Sequence, residues 1–137
     1  MNYDFYNDTY KNFMGIYEMF FERNIEIEIH KDNMFLDIYA LYKDQEIARI
    51  KCTIQKENKQ IKINDINCKK NNKGYGSLMM EELIGFAKAN KFDVITGWLS
   101  CVDRGHKKRL YHFYQKFGFE IKPNEEGIKF ADIILKL

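Results

Sequence analysis

An α/β (α+β) fold, with a mixed, mostly antiparallel central sheet, one splayed parallel strand pair and flanking helices, is predicted by three features of the chain. Strand-length apolar segments separated by short polar turns follow one another from residue 25 to residue 68. A glycine-bearing loop, an amphipathic helix and a further strand come next, which is the order of a right-handed crossover joining a parallel pair. The strand before that loop also carries a slip in its alternation, and this slip predicts where the sheet opens.

The chain begins with an i, i+3, i+4, i+7 stripe over residues 7–23, formed by Tyr10, Phe13, Met14, Tyr17, Phe20 and Phe21. This is the pattern of an amphipathic helix, with Asn7 or Asp8 as N-cap and Asn24 near its end. A stripe so aromatic is core in the first place, and part of it is also suited to line a cleft. Three strands are expected next, at Ile25 to His30, Met34 to Tyr42 and Glu46 to Ile54. The turn-like triplets Lys31-Asp32-Asn33 and Lys43-Asp44-Gln45 separate them and make an antiparallel meander.

The fourth strand, Lys59 to Cys68, starts with Ile61 and Ile63 apolar and ends with Ile66 and Cys68 apolar. Moving the apolar set from odd to even numbers requires one extra residue, a β-bulge near Asn64 and Asp65. Bulges leave backbone groups unpaired, and such groups can serve a ligand. After the polar run Lys69 to Lys73, Gly74 and Gly76 open a helix over residues 75–90 with Tyr75, Leu78, Met79, Leu83, Phe86 and Ala87 on one stripe. Glu81, Glu82 and Lys88 fall largely off that stripe. Glycines at a helix start permit close backbone approach, and the free N–H groups and dipole of the first turn favour an anion such as a phosphate. The loop lacks the Gly-Lys-Ser/Thr of a Walker loop and the third glycine of a dinucleotide fingerprint.

Phe92 to Ser100 supplies the fifth strand. A second helical period lies within residues 104–119, with Leu110, Phe113 or Tyr114, and Phe117 on one face and Gly118 as a natural stop. Glu120-Ile121-Lys122 starts a strand that residues 123–127 turn back, and Ile128 to Leu137 closes the sheet.

A chain of 137 residues fits a single domain, 1–137, with a core large enough to need no disulfides. With 22 basic and 20 acidic residues, the charge makes no demand for nucleic acid, although local basic clusters exist. No apolar run approaches the roughly 20 residues of a membrane span, and the polar, acidic start differs from a signal peptide, so a cytoplasmic protein is expected. Cys52, Cys68 and Cys101 form no C-x-x-C pair and the three histidines are scattered, so reduced structural thiols and no metal are expected.

Two segments resemble the GNAT superfamily of acyl-CoA N-acyltransferases. Asn71, Gly74 and Gly76 stand in the pattern Q/R-x-x-G-x-G/A of its motif A, with Asn71 where the family has Gln or Arg. Tyr114 to Phe119 matches the Tyr-x-x-x-Gly-Phe that ends its motif B, and Lys107 occupies the place, seven residues before the Tyr, where Asn is frequent. The resemblance spans residues 34–137. It implies an enzyme, an N-acetyltransferase that moves an acetyl group from acetyl-CoA to an amine by direct attack in a ternary complex, as a monomer or homodimer. The pantetheine arm would enter the slot between the parallel strands, with Ile66 and its neighbours as backbone partners, and the pyrophosphate would rest on Asn71, Asn72, Lys73, Gly74, Tyr75, Gly76 and Ser77. Lys107 would meet a phosphate or amide oxygen of the cofactor. Tyr114, by motif position, is the candidate acid for the departing thiolate, and an unpaired N–H at the bulge is suited to the oxyanion.

The base is chosen from Asp65, at the bulge, and Asp103, before the motif B helix, ahead of Glu26, Glu28 and Asp37 on the early strands. Lys107, Lys108 and Arg109, with Arg104, either meet a phosphate or form a solvated helix face. Trp98 borders the acceptor or packs in the core. Cys68 lies near the pantetheine path but has no histidine spaced to activate it. Two other classes compete with the enzyme: a non-catalytic acyl-CoA-binding or regulatory domain of the same shape, and a nucleic-acid-binding module. The identity of the amine cannot be read from the residues.

Overall fold

The computed structural model describes residues 24–69 and 74–137, with the side chains of 102–104 excepted. The helix expected over residues 7–23 lies outside these residues. Among the described residues seven strands, β1 (Glu26–Lys31), β2 (Phe35–Tyr42), β3 (Gln45–Gln55), β4 (Gln60–Cys68), β5 (Val94–Ser100), β6 (Glu120–Pro123) and β7 (Lys129–Lys136), form one sheet in the order β1-β2-β3-β4-β5-β7-β6. All neighbours are antiparallel except β4 and β5. The helix α1 (Tyr75–Ala89) makes the crossover between that parallel pair, and α2 (Lys107–Lys116) follows a 3-10 turn at Cys101–His106. The mixed sheet is thus the one expected. The second helix starts later than its sequence period suggested, because the 3-10 turn takes up the first residues of the segment.

Local chemistry sets the meander. Lys43 and Asp44 both adopt positive φ, 51° and 62°, which gives a two-residue connection the twist that a hairpin requires. Asp32 Oδ1 accepts from the N–H groups of Met34, at 2.8 Å, and Phe35, at 2.7 Å, closing the turn before β2. Those two donors hold the Asp32 carboxyl below its ordinary range.

The bulge lies where the alternation slips. Lys51 pairs with Asp65 and Cys52 with Ile63, so Asn64 is the additional residue. Its Nδ2 donates to Thr53 Oγ1 at 2.6 Å, which ties the extra side chain to the neighbouring strand. After it, Ile66 faces Ile50 and continues the buried face built by Leu36, Ile38, Ile50, Cys52, Ile61, Ile63, Ile95 and Ile133. Strands β4 and β5 pair only through Gln60 with Val94, Ile61 with Ile95 and Lys62 with Thr96. Beyond Lys62 they part. Gly97 sits in the fork, where a Cβ would lie 3.2 Å from the Ile133 side chain and 3.5 Å from Ile63 Cβ.

Helix α1 packs on β2, β3 and β4, while α2 packs on β6. The expected stripe on α1 is buried, with Phe86 half-buried, but one expectation fails: Glu81 and Glu82, read as lying off the stripe, are 4% and 5% exposed. The helix is buried nearly all round from Tyr75 to Gly85, so Glu81 and Glu82 have no solvent side. Glu81 Oε2 and Glu82 Oε1 find no hydrogen-bond partner among the described residues. Loss of water pushes each carboxyl up to about 7, with Lys88 and Lys116 partly opposing this at Glu81.

Two outcomes follow from this packing. Both carboxyls bind their protons at about 7 in the folded chain, against 4.5 ordinarily. The folded state therefore holds extra protons between these values, and stability falls as pH rises from about 4.5 through about 7. Glu81→Gln or Glu82→Gln should raise stability at pH 8 by on the order of 1–2 kcal/mol and change it little at pH 4. Thermal melts at the two pH values check this, and equal or lower melting of both variants at pH 8 would contradict it. Gly97→Val should destabilise the chain by roughly 1–3 kcal/mol through overpacking against Ile133, measured by urea unfolding; a neutral result would mean that the fork has room to spare.

Candidate active site

A cleft of about 800 Å³ occupies the fork between β4 and β5 and extends to the start of α1 and one face of α2. Its β4 wall runs from Ile63 to Cys68 and its β5 wall from Gly97 to Ser100. The β5-facing backbone of this part of β4 has no ladder partner on β5, because the pairing has stopped at Lys62. An extended ligand can therefore pair with it as a strand would.

At one end the cleft meets the N-terminus of α1. Gly74 adopts φ 80°, a conformation that glycine alone takes without strain, and the helix has no side-chain cap. The first helical bond runs from Leu78 N–H to Gly74 C=O at 3.0 Å. The N–H groups of Gly76 and Ser77 precede it and point out of the helix, and the first turn contains no acidic residue. Gly76 lies close under α2, since a Cβ there would be 3.4 Å from the Phe113 ring. Lys116, in the last turn of α2, donates from Nζ to Ser77 Oγ at 2.8 Å. Its ammonium also lies 5.3 Å and 5.2 Å from the ring centroids of Phe113 and Phe117. Partial burial holds the Lys116 pKa below its ordinary value, and Glu81 works against that shift. A helix N-terminus with an ammonium beside it is an anion site in electrostatic terms.

Tyr114 stands on α2 with its ring between Phe113, at 5.1 Å, and Phe119, at 5.4 Å, and it borders the cleft at 8% exposure. Packing thus fixes the ring, and the cleft lies against it. Tyr111 instead stacks on Phe130 at 6.4 Å and takes no part in the cleft wall.

The cleft brings together Asp65, Ile66, Gly74, Tyr75, Gly76, Ser77 and Tyr114 of the expected residues. Asn71, Asn72 and Lys73 lie outside the described residues, as does the Asp103 side chain. Lys107 is not in the cleft wall; its ammonium sits 5.3 Å from the Tyr111 ring centroid. From the basic run it is Arg109 that reaches the wall. Trp98, 38% exposed, lines the cleft and is not in the core. Burial raises the Cys68 thiol pKa, which disfavours a thiolate nucleophile at that position.

Lys116 and Gly97 were not singled out from sequence. Gly97 had a signal, since an isolated glycine within a strand marks a close approach. Lys116 had none, because its role depends on the docking of α2 against the start of α1. Among the described residues there is no cluster of metal-ligating side chains, and no helix is long and apolar enough to cross a membrane.

No family model and no curated protein matches the sequence. Solved structures do match. The PaiA N-acetyltransferase of Thermoplasma acidophilum, in complex with coenzyme A, aligns over 76% of this chain at 17% identity and a TM-score of 0.63. This chain spans 62% of the length of that protein. A GNAT family acetyltransferase from Elizabethkingia anophelis with acetyl-CoA bound aligns over 83% of this chain and 99% of its own, at 19% identity and a TM-score of 0.63. The IAA acetyltransferase of Bacillus cereus aligns over 82% and 99%, at 14% identity and a TM-score of 0.64. At such identities it is the backbone arrangement that is shared. The chain has the fold of the GNAT acetyltransferases.

Proposed function

We propose that the protein is an acetyl-CoA-dependent N-acetyltransferase acting on an amine by direct attack in a ternary complex. The observation that carries this reading is the fork between β4 and β5, which leads at one end to the glycine-opened start of α1 and faces Tyr114 along its wall. Acetyl-CoA fits such a site by shape and charge: a thin pantetheine arm with amides for the unpaired strand, joined to a diphosphate for the helix N-terminus. The solved acetyltransferases of the same fold that hold coenzyme A or acetyl-CoA support the assignment.

In this reading Ile66 and its neighbours supply backbone partners to the pantetheine amides. Residues 71–77, with Lys116, receive the diphosphate. The amine, an ammonium in bulk water at a pKa near 10.4, gives a proton to Asp65, or to Asp103 in the alternative assignment. Its nitrogen attacks the thioester carbonyl carbon, forming the C–N bond. The carbonyl oxygen becomes an oxyanion facing an N–H of the bulge. As the tetrahedral intermediate collapses, the C–S bond breaks, the thiolate takes a proton from Tyr114, and the second proton of the attacking nitrogen passes through water to the Tyr114 phenolate, while the base releases its proton to solvent. The products are the N-acetyl amine and free coenzyme A. Lys107 is assigned to the cofactor only by its place in motif B, and its position beside Tyr111 would require the side chain to swing.

Isothermal titration of acetyl-CoA should show binding of one equivalent per chain, and thiol release in the presence of an amine should exceed release without it. Binding without amine-dependent release would favour an acyl-CoA-binding domain, and absence of binding would remove the assignment altogether. Tyr114→Phe keeps the ring that packs against Phe113 and Phe119 and deletes only the hydroxyl. It should leave the acetyl-CoA affinity within about twofold while lowering kcat by roughly 10- to 100-fold; an unchanged kcat would take Tyr114 out of the proton path.

A further inference from the structure

The cleft reaches both faces of the sheet, and the two faces carry different chemistry. Ile63, Ile66, Gly97 and Tyr114 belong to the helix-covered side. On the other side the register places Trp98: Thr96 pairs with Lys62 and hydrogen-bonds Gln60 at 2.8 Å, Gly97 turns inward, and Trp98 comes next. The bulge gives this face two consecutive side chains of β4. Asn64 reaches Thr53, and Asp65 is opposite Lys51, so both stand on the face away from α1 and α2. Trp98 and Asp65 therefore flank the fork from its opposite strands, and both line the cleft.

Neither is engaged by the fold. The Trp98 indole makes no ring contact with another described residue, and the exposed Asp65 carboxylate has no hydrogen bond or ion pair among the described residues. Asp132, opposite Trp98 on β7, is occupied by Asn124 at 2.7 Å and Lys129 at 3.2 Å. The nearest cations in register, Lys51 and Lys62, point along the same face without pairing to Asp65. An indole face and an unengaged carboxylate on either side of a gap match an organic cation: the π surface takes the charge or its carbon chain, and the carboxylate takes the ammonium.

We propose that Trp98 and Asp65, on the sheet face opposite α1 and α2, form a subsite for a primary alkylammonium with no anionic group on its chain. This rests on the acetyl-transfer reading and adds to it the class of acceptor.

The chain's single tryptophan is itself the reporter. Tryptophan fluorescence of the acetyl-CoA-free protein is titrated with 1,5-diaminopentane, pentylamine and 5-aminopentanoic acid, and the same three compounds serve as acceptors in the thiol-release assay. The two cationic amines should perturb the emission and be acetylated, and 5-aminopentanoic acid should be at least about tenfold poorer in kcat/KM. Trp98→Ala should lower kcat/KM for the alkylamines about tenfold through KM, with the KM for acetyl-CoA unchanged, and Trp98→Phe should recover part of the loss. A preference for the amino acid, or alkylamine kinetics unaffected by Trp98→Ala, overturns the proposal. If calorimetry shows that acetyl-CoA binds but no alkylamine is acetylated, the acceptor class is wrong while the cofactor reading stands; if acetyl-CoA does not bind, both fall.

Discussion

One inserted residue controls what this sheet can do. Asn64 sits unpaired in β4, opposite the Lys51–Cys52 step of β3, and the insertion rotates the rest of the strand so that Ile66 inherits the inward direction that Ile63 held. A regular β4 could continue its parallel pairing with β5 and bury its backbone polar groups in a ladder. The bulge bends the strand instead, and the pairing ends after three residue pairs. The cleft is a result of that bend. Its polar wall comes from backbone that the sheet itself would otherwise consume, since buried N–H and C=O groups must find partners somewhere. Gly97 completes the opening by removing the side chain that would reach into the fork against Ile63 and Ile133.

The two flanking helices matter because they set the ends of that opening. Helix α1 brings uncapped N–H groups to the cleft, and α2 brings Tyr114, held by aromatic contacts on two sides. Neither position is specified by helix propensity. Gly74 and Gly76 would weaken a helix interior, yet at the start one provides positive φ and the other allows Phe113 to approach. The local rules are broken where a ligand would lie, which is the usual place for such exceptions.

Much of this was readable in the residues because the signals were short-range. The change of phase between Ile63 and Ile66, the glycines at 74 and 76 and the Tyr-x-x-x-Gly-Phe run each act within one turn or one strand, so sequence periodicity reports them directly. The mixed sheet followed from the order of the segments. What could not be read depends on distant partners. Glu81 and Glu82 lie off a narrow apolar stripe, but α1 is covered on nearly every side, and a pattern on one helix does not record how many neighbours enclose it. Lys116 is an ordinary solvated lysine until α2 docks and places its ammonium at Ser77. Lys107 shows the converse, for its motif position suggested the cofactor while the fold places its ammonium beside Tyr111.

The burial of α1 gives these features a common explanation. A backbone anion site is effective only if its N–H groups are held in a fixed orientation, and a helix with one free face can shift on the sheet. Enclosing α1 removes that freedom, but it also removes water from Glu81 and Glu82, which respond by holding their protons up to about 7. A neutral carboxyl on the first turns of α1 costs the anion site little, whereas an ionised Glu81 one turn behind Ser77 would oppose a bound diphosphate. Lys116 acts in the opposite sense from α2, placing positive charge on the same serine and linking the helix that carries Tyr114 to the helix that would hold the diphosphate. The desolvation that appears as a defect of the core thus keeps the potential at the start of α1 favourable to an anion, and the Lys116–Ser77 contact ties α2 to that start.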